Sequence, residues 1–269
     1  MIRIAQLKLP LDYEKTPLVA HAARALRCSP DDISAVRLRK RSVDARDKGD
    51  IRFVLTLDVE TKHPLRSLPK GCEQLSAPTP RPLPTPRVLA HRPLVVGLGP
   101  AGLFAALTLA RMGLAPLVIE RGKSVDERAR DVNAFWNGGA LDPESNVQFG
   151  EGGAGAFSDG KLNSGIKDVH CREVLETLAR FGAPEEILWE ARPHVGTDRL
   201  PAVVRAIRQE IVRLGGEVFF ETRLEGLRVE NGRVTGAICA RGGERMEIET
   251  ETVVLDVYKR QVCMYSLRP

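Results

Sequence analysis

The chain has 269 residues, with Lys+Arg 40 against Asp+Glu 35 and a formal net charge of +5. A hydrophobic share of 43% with 28% charged residues excludes a disordered tail or a fibrous repeat and predicts a packed core. No apolar run reaches the roughly 18 to 20 residues that cross a bilayer, and the opening MIRIAQLKLPLDYEK lacks the apolar centre of a signal peptide. Five cysteines, Cys28, Cys72, Cys171, Cys239 and Cys263, stand singly with no CxxC pair. This argues against a disulfide framework and a thiolate zinc site, and fits a reducing cytoplasm.

In chain order, IRIAQLKLP alternates like a half-buried strand, TPLVAHAARALR carries apolar residues at helical spacing, and AVRLRKRSVDA and IRFVLTLDVE read as two further strands. Strand, helix, strand, strand over residues 1–62 predicts a small α+β module of ferredoxin-like type. Its basic cluster Arg37, Arg39, Lys40, Arg41, Arg46, Lys48 and Arg52 has two readings. One is a cradle for RNA phosphates; the other, favoured because no aromatics are interleaved, is a solvated sheet face.

Residues 63–92 hold most of a proline cluster at 64, 69, 78, 80, 82, 84, 86 and 93, eight of the chain's 18. Each proline fixes its own φ and removes a donor, so the stretch predicts a polyproline II spacer, with an SH3-type ligand as the alternative.

Next, PLVVGLGPAGLFAALTLARMGLAPLVIERG reads as strand, Gly-rich turn, helix, strand. Helical periodicity returns at 168–181 and 198–214, GGEVFFET reads as a strand, and 224–230, 233–240 and 244–250 read as a β-meander punctuated by Asn231-Gly232 and Gly242-Gly243. TVVL closes the series.

The chemistry concentrates at Gly97, Gly99 and Gly102, a GxGxxG between an apolar strand and a helix. Gly97 permits the tight turn, Gly99 lets backbone approach a pyrophosphate, Gly102 lets helix pack on strand, and the helix N-terminus favours phosphate charge. Glu120, at the end of the next strand, is placed to accept ribose hydroxyls and disfavours a 2′-phosphate there. That leaves FAD or NAD. The long Gly-rich loop and meander, in place of repeated βαβ units, favour flavin. A second stretch, VQFGEGGAGAFSDGKLNSG, offers Gly150, Gly152, Gly153, Gly155 and Gly160 for close backbone approach, with Ser158 and Lys161 to add a hydroxyl and a charge. A lid loop without ligand contact is the competing reading, and Lys161 reads equally as a phosphate contact or a solvated lysine.

These segments resemble the FAD-dependent oxidoreductases of the glutathione reductase-like superfamily, and more narrowly an uncharacterised bacterial group of FAD-dependent dehydrogenases. VVGLGPAGLFAALTLARMGLAPLVIERG is similar to the group's nucleotide fingerprint and SNVQFGEGGAGAFSDGKLNSGIKD to its more specific second motif, while PHVGTDRLPAVVRAIRQEI and GGEVFFETRLEGL are similar to later segments. The resemblance covers about residues 90–255 and extends, less distinctively, to SVDARDKGDIRFVLTLDVE of the leader. It implies that Gly97, Gly99, Pro100, Ala101 and Gly102 face the pyrophosphate, that Glu120 and Arg121 lie at the adenosine ribose, and that Arg128 reaches phosphate. It also implies that backbone at Leu224 reads the adenine edge and that Gly152, Gly153, Ser158, Lys161 and Leu162 line the flavin side. Where the superfamily has a small-residue turn after its last core strand, this chain has DVYKRQVCMYSLRP. Residues 256–269 therefore read as a translated cloning or adapter junction, and 93–255 as the N-terminal portion of the flavin domain.

His21, His63, His91, His170 and His194 show no HxxxH or HExxH pattern, so no metal site is expected. His194 reads as a structural histidine before a helix capped by Thr197. No GxSxG elbow supports a hydrolase, and Cys171 lacks the neighbour a disulfide reductase needs. Phe135 and Trp136 read as core. The resulting expectation is a Rossmann-like FAD domain, parallel sheet plus meander, behind the α+β module. It would transfer hydride to or from a small-molecule substrate or a nicotinamide donor, with no metal, no membrane and no nucleic acid. The alternative is a non-catalytic flavin- or nucleotide-binding or RNA-contacting module.

Overall fold

A computed structural model describes residues 1–76, 83–158, 160–162, 168, 170–196 and 198–256. Thr197, the prolines at 78, 80 and 82, Cys263 and the tail beyond 256 lie outside the described residues. The chain divides into two compact units. The first comprises Met1–Pro82, Leu162–Ala179 and Pro184–Pro193, and the second Leu83–Lys161, Arg180–Ala183 and His194–Pro269. The expected boundaries, contiguous blocks meeting at 62 and 92, give way to a chain that returns to the first unit after residue 161.

The first unit is built on an antiparallel sheet of β1 (Ile2–Leu9), β2 (Ile33–Asp44), β3 (Arg52–Thr61) and β4 (Cys72–Gln74), in the order β2-β3-β1-β4. In β1 the apolar residues change phase, Ile2 and Ile4 being followed by Leu7 and Leu9. A period-two strand cannot bury both pairs on one face unless it bulges. The register indeed shifts between Ile4 and Leu7, with Gln6 at φ 57. Helix α1 (Leu18–Leu26) turns Ala22, Ala23 and Leu26 onto Leu55, Leu57 and Val59 of β3, and ends on Arg27 in the left-handed conformation. Strand β4 corrects the spacer reading. Its three residues pair with Ile2, Arg3 and Ile4, and Leu75 N donates to Met1 O at 2.9 Å. Residues 189–191 lie along β2: Arg41 N donates to Trp189 O at 2.6 Å and Ala191 N to Arg41 O at 3.0 Å.

The basic cluster is largely neutralised. Arg37 pairs with Glu60, Arg39 with Asp58, Arg41 with Glu14 and Glu190, Arg46 with Asp44 and Arg52 with Asp50.

The second unit carries a parallel sheet of β5 (Leu94–Val96), β6 (Leu117–Ile119), β7 (Glu217–Phe219) and β11 (Val253–Leu255), in the order β11-β5-β6-β7. Between β7 and β11 the chain forms the expected meander, β8 (Thr222–Glu230), β9 (Arg233–Arg241) and β10 (Glu244–Glu249). Because side chains alternate along a strand, Leu94, Val96 and Ile119 face Ala237, Cys239 and Ile248 of the meander. Val95 points the other way, toward helix α2 (Pro100–Arg111), which packs with α5 (Leu200–Arg213). Helix α3 (Val125–Trp136) follows β6, whereas α4 (His170–Arg180) falls in the first unit except for its last residue. Phe135 and Trp136, expected in the core, are 41% and 60% exposed. They sit on the last turn of α3, past the face that buries Val125, Arg128 and Val132.

Candidate functional site

The parallel strands run outward in sequence from β5 through β6 to β7, and the chain then returns to place β11 on the other side of β5. In sheets of this kind the order reverses at one point, and the crevice beyond the carboxyl ends of the strands there is where ligands bind. The turn Gly97–Gly99 stands at that point. Gly99 caps α2 and Pro100 occupies its first turn, so the helix N-terminus, with its unpaired N–H groups and positive dipole end, opens into the crevice. The turn is as tight as glycine allows, since a Cβ on Gly102 would fall on the carbonyl oxygen of Gly97. Ala101 is exposed on the same turn.

The second Gly-rich stretch is brought to the first. Gly152 N donates to Leu98 O at 2.8 Å, and a Cβ on Gly153 would meet Pro100 Cδ at 3.2 Å and Gly99 Cα at 3.5 Å. Beyond it, the 3-10 turn Gly153–Phe157 leads to Ser158, whose Oγ donates to Gly155 O and accepts from Gly160 N. Lys161 is exposed and bridges antiparallel to His194. Leu162, expected beside the flavin, groups with the first unit, its N–H donating to Pro193 O at 2.9 Å.

Glu120 is 3% exposed, and its carboxylate accepts three backbone N–H groups: Leu98 at 2.7 Å, Gly122 at 2.9 Å and Gly150 at 3.1 Å. It ties the first glycine turn, the end of β6 and the second glycine stretch together. Of the roughly four acceptor directions of a carboxylate, about one remains for a ribose hydroxyl.

Arg128 corrects the expectation that it reaches phosphate. Its guanidinium, 0% exposed, donates to four carbonyls, those of Asn146, Val147, Glu151 and Gly153, at 2.7 to 2.8 Å. It lies 4.7 Å from the Phe157 ring centroid. Burial pushes the group down to about 10, against the favourable charges of Glu120 and Glu151, so it stays cationic at neutral pH. A Cβ on Gly150, at φ +121, would run into its Cδ. Arg128 is thus the post around which residues 146–153 are folded.

Glu151, in the middle of the motif, is also 0% exposed. It accepts Val125 N at 2.8 Å, capping α3, and pairs with Arg208 at 2.7 Å. Periodicity gave no signal for this role; an acid inside a glycine run was the only mark. Arg121 stacks on Phe149, 3.9 Å from the ring centroid, and forms a two-pronged pair with Glu144 at 2.8 and 2.9 Å. Arg223 reaches the same Glu144 at 3.2 Å. Leu224 pairs across to Cys239 and packs its side chain into the sheet–meander core.

A glycine turn opening on a helix N-terminus is the kind of backbone cradle that takes a pyrophosphate. Asp256 lines the same turn, its Oδ2 lying 2.5 Å from where a Cβ on Gly99 would stand and its Cβ 3.1 Å from one on Gly97. Asp256 N donates to Val96 O at 3.1 Å, directly after the last pair of β11 with β5. Among the described residues no cluster of His, Cys, Asp and Glu could hold a metal, and no helix is long and apolar enough to cross a membrane.

Fold and site together define an α/β protein with a dinucleotide-type glycine turn at a sheet switch point. Residues 1–60 match the family model described as "Domain of unknown function (DUF8436)". An "Uncharacterized protein" of Clostridium beijerinckii is 46% identical over 256 residues, covering 88% of this chain and 45% of the relative. The digeranylgeranylglycerophospholipid reductase of Methanocella arvoryzae is 25% identical over 167 residues, 60% of this chain and 37% of the enzyme. Among solved structures, the glycerol-3-phosphate dehydrogenase of Bacillus halodurans complexed with FAD overlays with a TM-score of 0.42 at 13% identity, covering 66% of this chain and 36% of that one. The chain is thus distantly similar to a reductase over about 60% of its length, and spans less than half the length of these relatives.

Proposed function

We propose that this protein binds FAD, and that it is a flavin-dependent oxidoreductase moving hydride between a small-molecule substrate or nicotinamide donor and the flavin. One observation carries the reading: the two glycine-rich segments meet at the N-terminus of α2, through Gly152 N on Leu98 O and Gly153 against Gly99 and Pro100. A backbone-lined cradle at a helix N-terminus suits a pyrophosphate. Gly97, Gly99 and the first turn of α2 would hold the phosphates, the remaining acceptor direction of Glu120 the ribose, and Gly152, Gly153, Ser158 and Lys161 the flavin side. When bound, the flavin supplies the hydride chemistry. Arg128 and Glu151 act behind the cradle by fixing the loop that forms it.

The RNA-contacting alternative loses its footing in the pairing of Arg37, Arg39, Arg41, Arg46 and Arg52 with carboxylates. The test is the visible absorbance of the protein as purified and after incubation with FAD and gel filtration. Flavin bands that co-elute with the protein and are lost in Gly99→Val are expected. A colourless wild type that also rejects added FAD overturns the proposal.

A further inference from the structure

The second glycine-rich stretch ends in a short antiparallel contact that gives Lys161 a neighbour. Val195 N donates to Gly160 O at 3.0 Å and Leu162 N to Pro193 O at 2.9 Å, which sets Lys161 opposite His194 in an antiparallel bridge. The two hydrogen bonds flank this pair and neither belongs to it. It is therefore a non-hydrogen-bonded pair, the kind whose side chains stand closest, with Cβ atoms about 4.5 to 5.5 Å apart on one face. Val195 turns to the opposite face and is buried, whereas Lys161 and His194 are exposed. Glycine holds the bridge. Gly160 is at φ +68, and a Cβ on it would lie 2.9 Å from Gly196 N; Gly196, at φ +88, has the Asp198 carboxylate 2.6 Å from where its own Cβ would stand. His194 is thus presented to solvent beside a lysine, not packed as the structural histidine that its place before a helix predicts.

We infer that Lys161 and His194 together anchor the charge of the substrate, so that the small molecule exchanging hydride with the flavin carries a carboxylate. A lysine ammonium offers three donors and an imidazole ring at least one. Two donor nitrogens side by side can hold the two oxygens of one carboxylate, and the charge on such contacts makes them short and strong. The place of the pair beside the flavin rests on the reading above, which puts Lys161 on that side; the juxtaposition of the two side chains does not.

The experiment measures succinate binding by calorimetry, with and without FAD, and follows the visible flavin bands of the FAD-loaded protein. Succinamide is the uncharged match and inorganic phosphate the competing oxyanion, all at one ionic strength, and circular dichroism melts confirm folding of the variants. Succinate should bind the wild type and succinamide should not. Lys161→Met and His194→Ala should each weaken succinate at least about tenfold, the range of a lost charge-assisted contact, while Lys161→Arg stays within about threefold. Lys48→Met, which removes a cation from the turn between β2 and β3, should leave the affinity unchanged. In the FAD-loaded protein succinate should also shift the flavin bands. No succinate binding, or equal affinity in the wild type, Lys161→Met and His194→Ala, overturns the pair as an anchor. Phosphate binding more tightly than succinate overturns the carboxylate, and succinate binding that leaves the flavin bands unmoved overturns the substrate role. A protein that takes no FAD fails the flavin reading instead, and the substrate role falls with it, while the succinate titration still decides whether the pair holds an anion.

Discussion

Arg128 illustrates how a single residue can be assigned the wrong partner when only its chemistry is known. An arginine a few residues after a nucleotide fingerprint is a natural phosphate ligand, because its fork matches phosphate geometry. Nothing local in the sequence says that the carbonyls of Asn146, Val147, Glu151 and Gly153 will converge on it from a segment some twenty residues away. Lysine carries the same charge but a single nitrogen with three donors, which cannot span four carbonyls. Arg128→Lys should therefore destabilise the protein by about 2 to 4 kcal/mol, the cost of leaving one or two buried acceptors unpaired. A lower urea midpoint and faster proteolytic cleavage within residues 146–157 would register it. Unchanged cleavage there would mean that the loop is held by Glu120 and Glu151 alone. The glycines were far more legible: Gly102 is dictated by a collision with Gly97 O that any side chain would create, and that requirement is written in the spacing itself.

Among the elements, those with strong periodicity were legible and those made by pairing alone were not. The meander is announced by Asn231-Gly232 and Gly242-Gly243, and β8, β9 and β10 form around those turns. Strand β4 carries three residues, Cys72, Glu73 and Gln74, inside a proline-rich stretch, and exists because β1 offers it an edge. The middle of the meander also carries a titration. Cys239 on β9 is 0% exposed against Leu94 and Ile119, and burial pushes its thiol from 9.0 up to about 11. The folded state therefore keeps this proton at pH values where the unfolded chain has released it. The contribution of the neutral thiol is intact below about pH 9, falls as pH rises from 9 to 11, and is flat beyond. The loss should approach about 1.4 kcal/mol per pH unit within that window. Denaturation midpoints of wild type and Cys239→Ala, taken from pH 8 to 11, check it: the difference between them should narrow or reverse with rising pH. Parallel curves would show that the thiol ionises no differently in the fold than outside it.

At the scale of the whole molecule, the order of the chain and the order of the units part company. Residues 184–193 follow the second glycine-rich stretch in sequence, yet by their contacts they belong to the first unit. A sequence reader has no purchase on this, because the attachment is made by backbone, through Arg41 N on Trp189 O and Ala191 N on Arg41 O, and backbone pairing carries no residue code. Among the described residues its side-chain signature is the pair of Arg41, one of the cations of the predicted basic cluster, with Glu190. Arg41 and Glu190 are 24% and 32% exposed, so the pair is partly shielded and its loss should cost about 1 kcal/mol. Arg41 would keep Glu14, at 3.1 Å, as a weaker partner. Glu190→Ala should then loosen the docking of 189–191 on β2 without touching the parallel sheet of the second unit. Hydrogen exchange resolves the two: amides of β2 around Arg41 and of residues 189–191 should exchange faster by up to about fivefold, the factor that corresponds to such an energy, while those of β5 and β6 keep their wild-type rates. Faster exchange in β5 and β6 as well would mean that the two units unfold as one, and no change in β2 would mean that the backbone bonds hold the segment unaided.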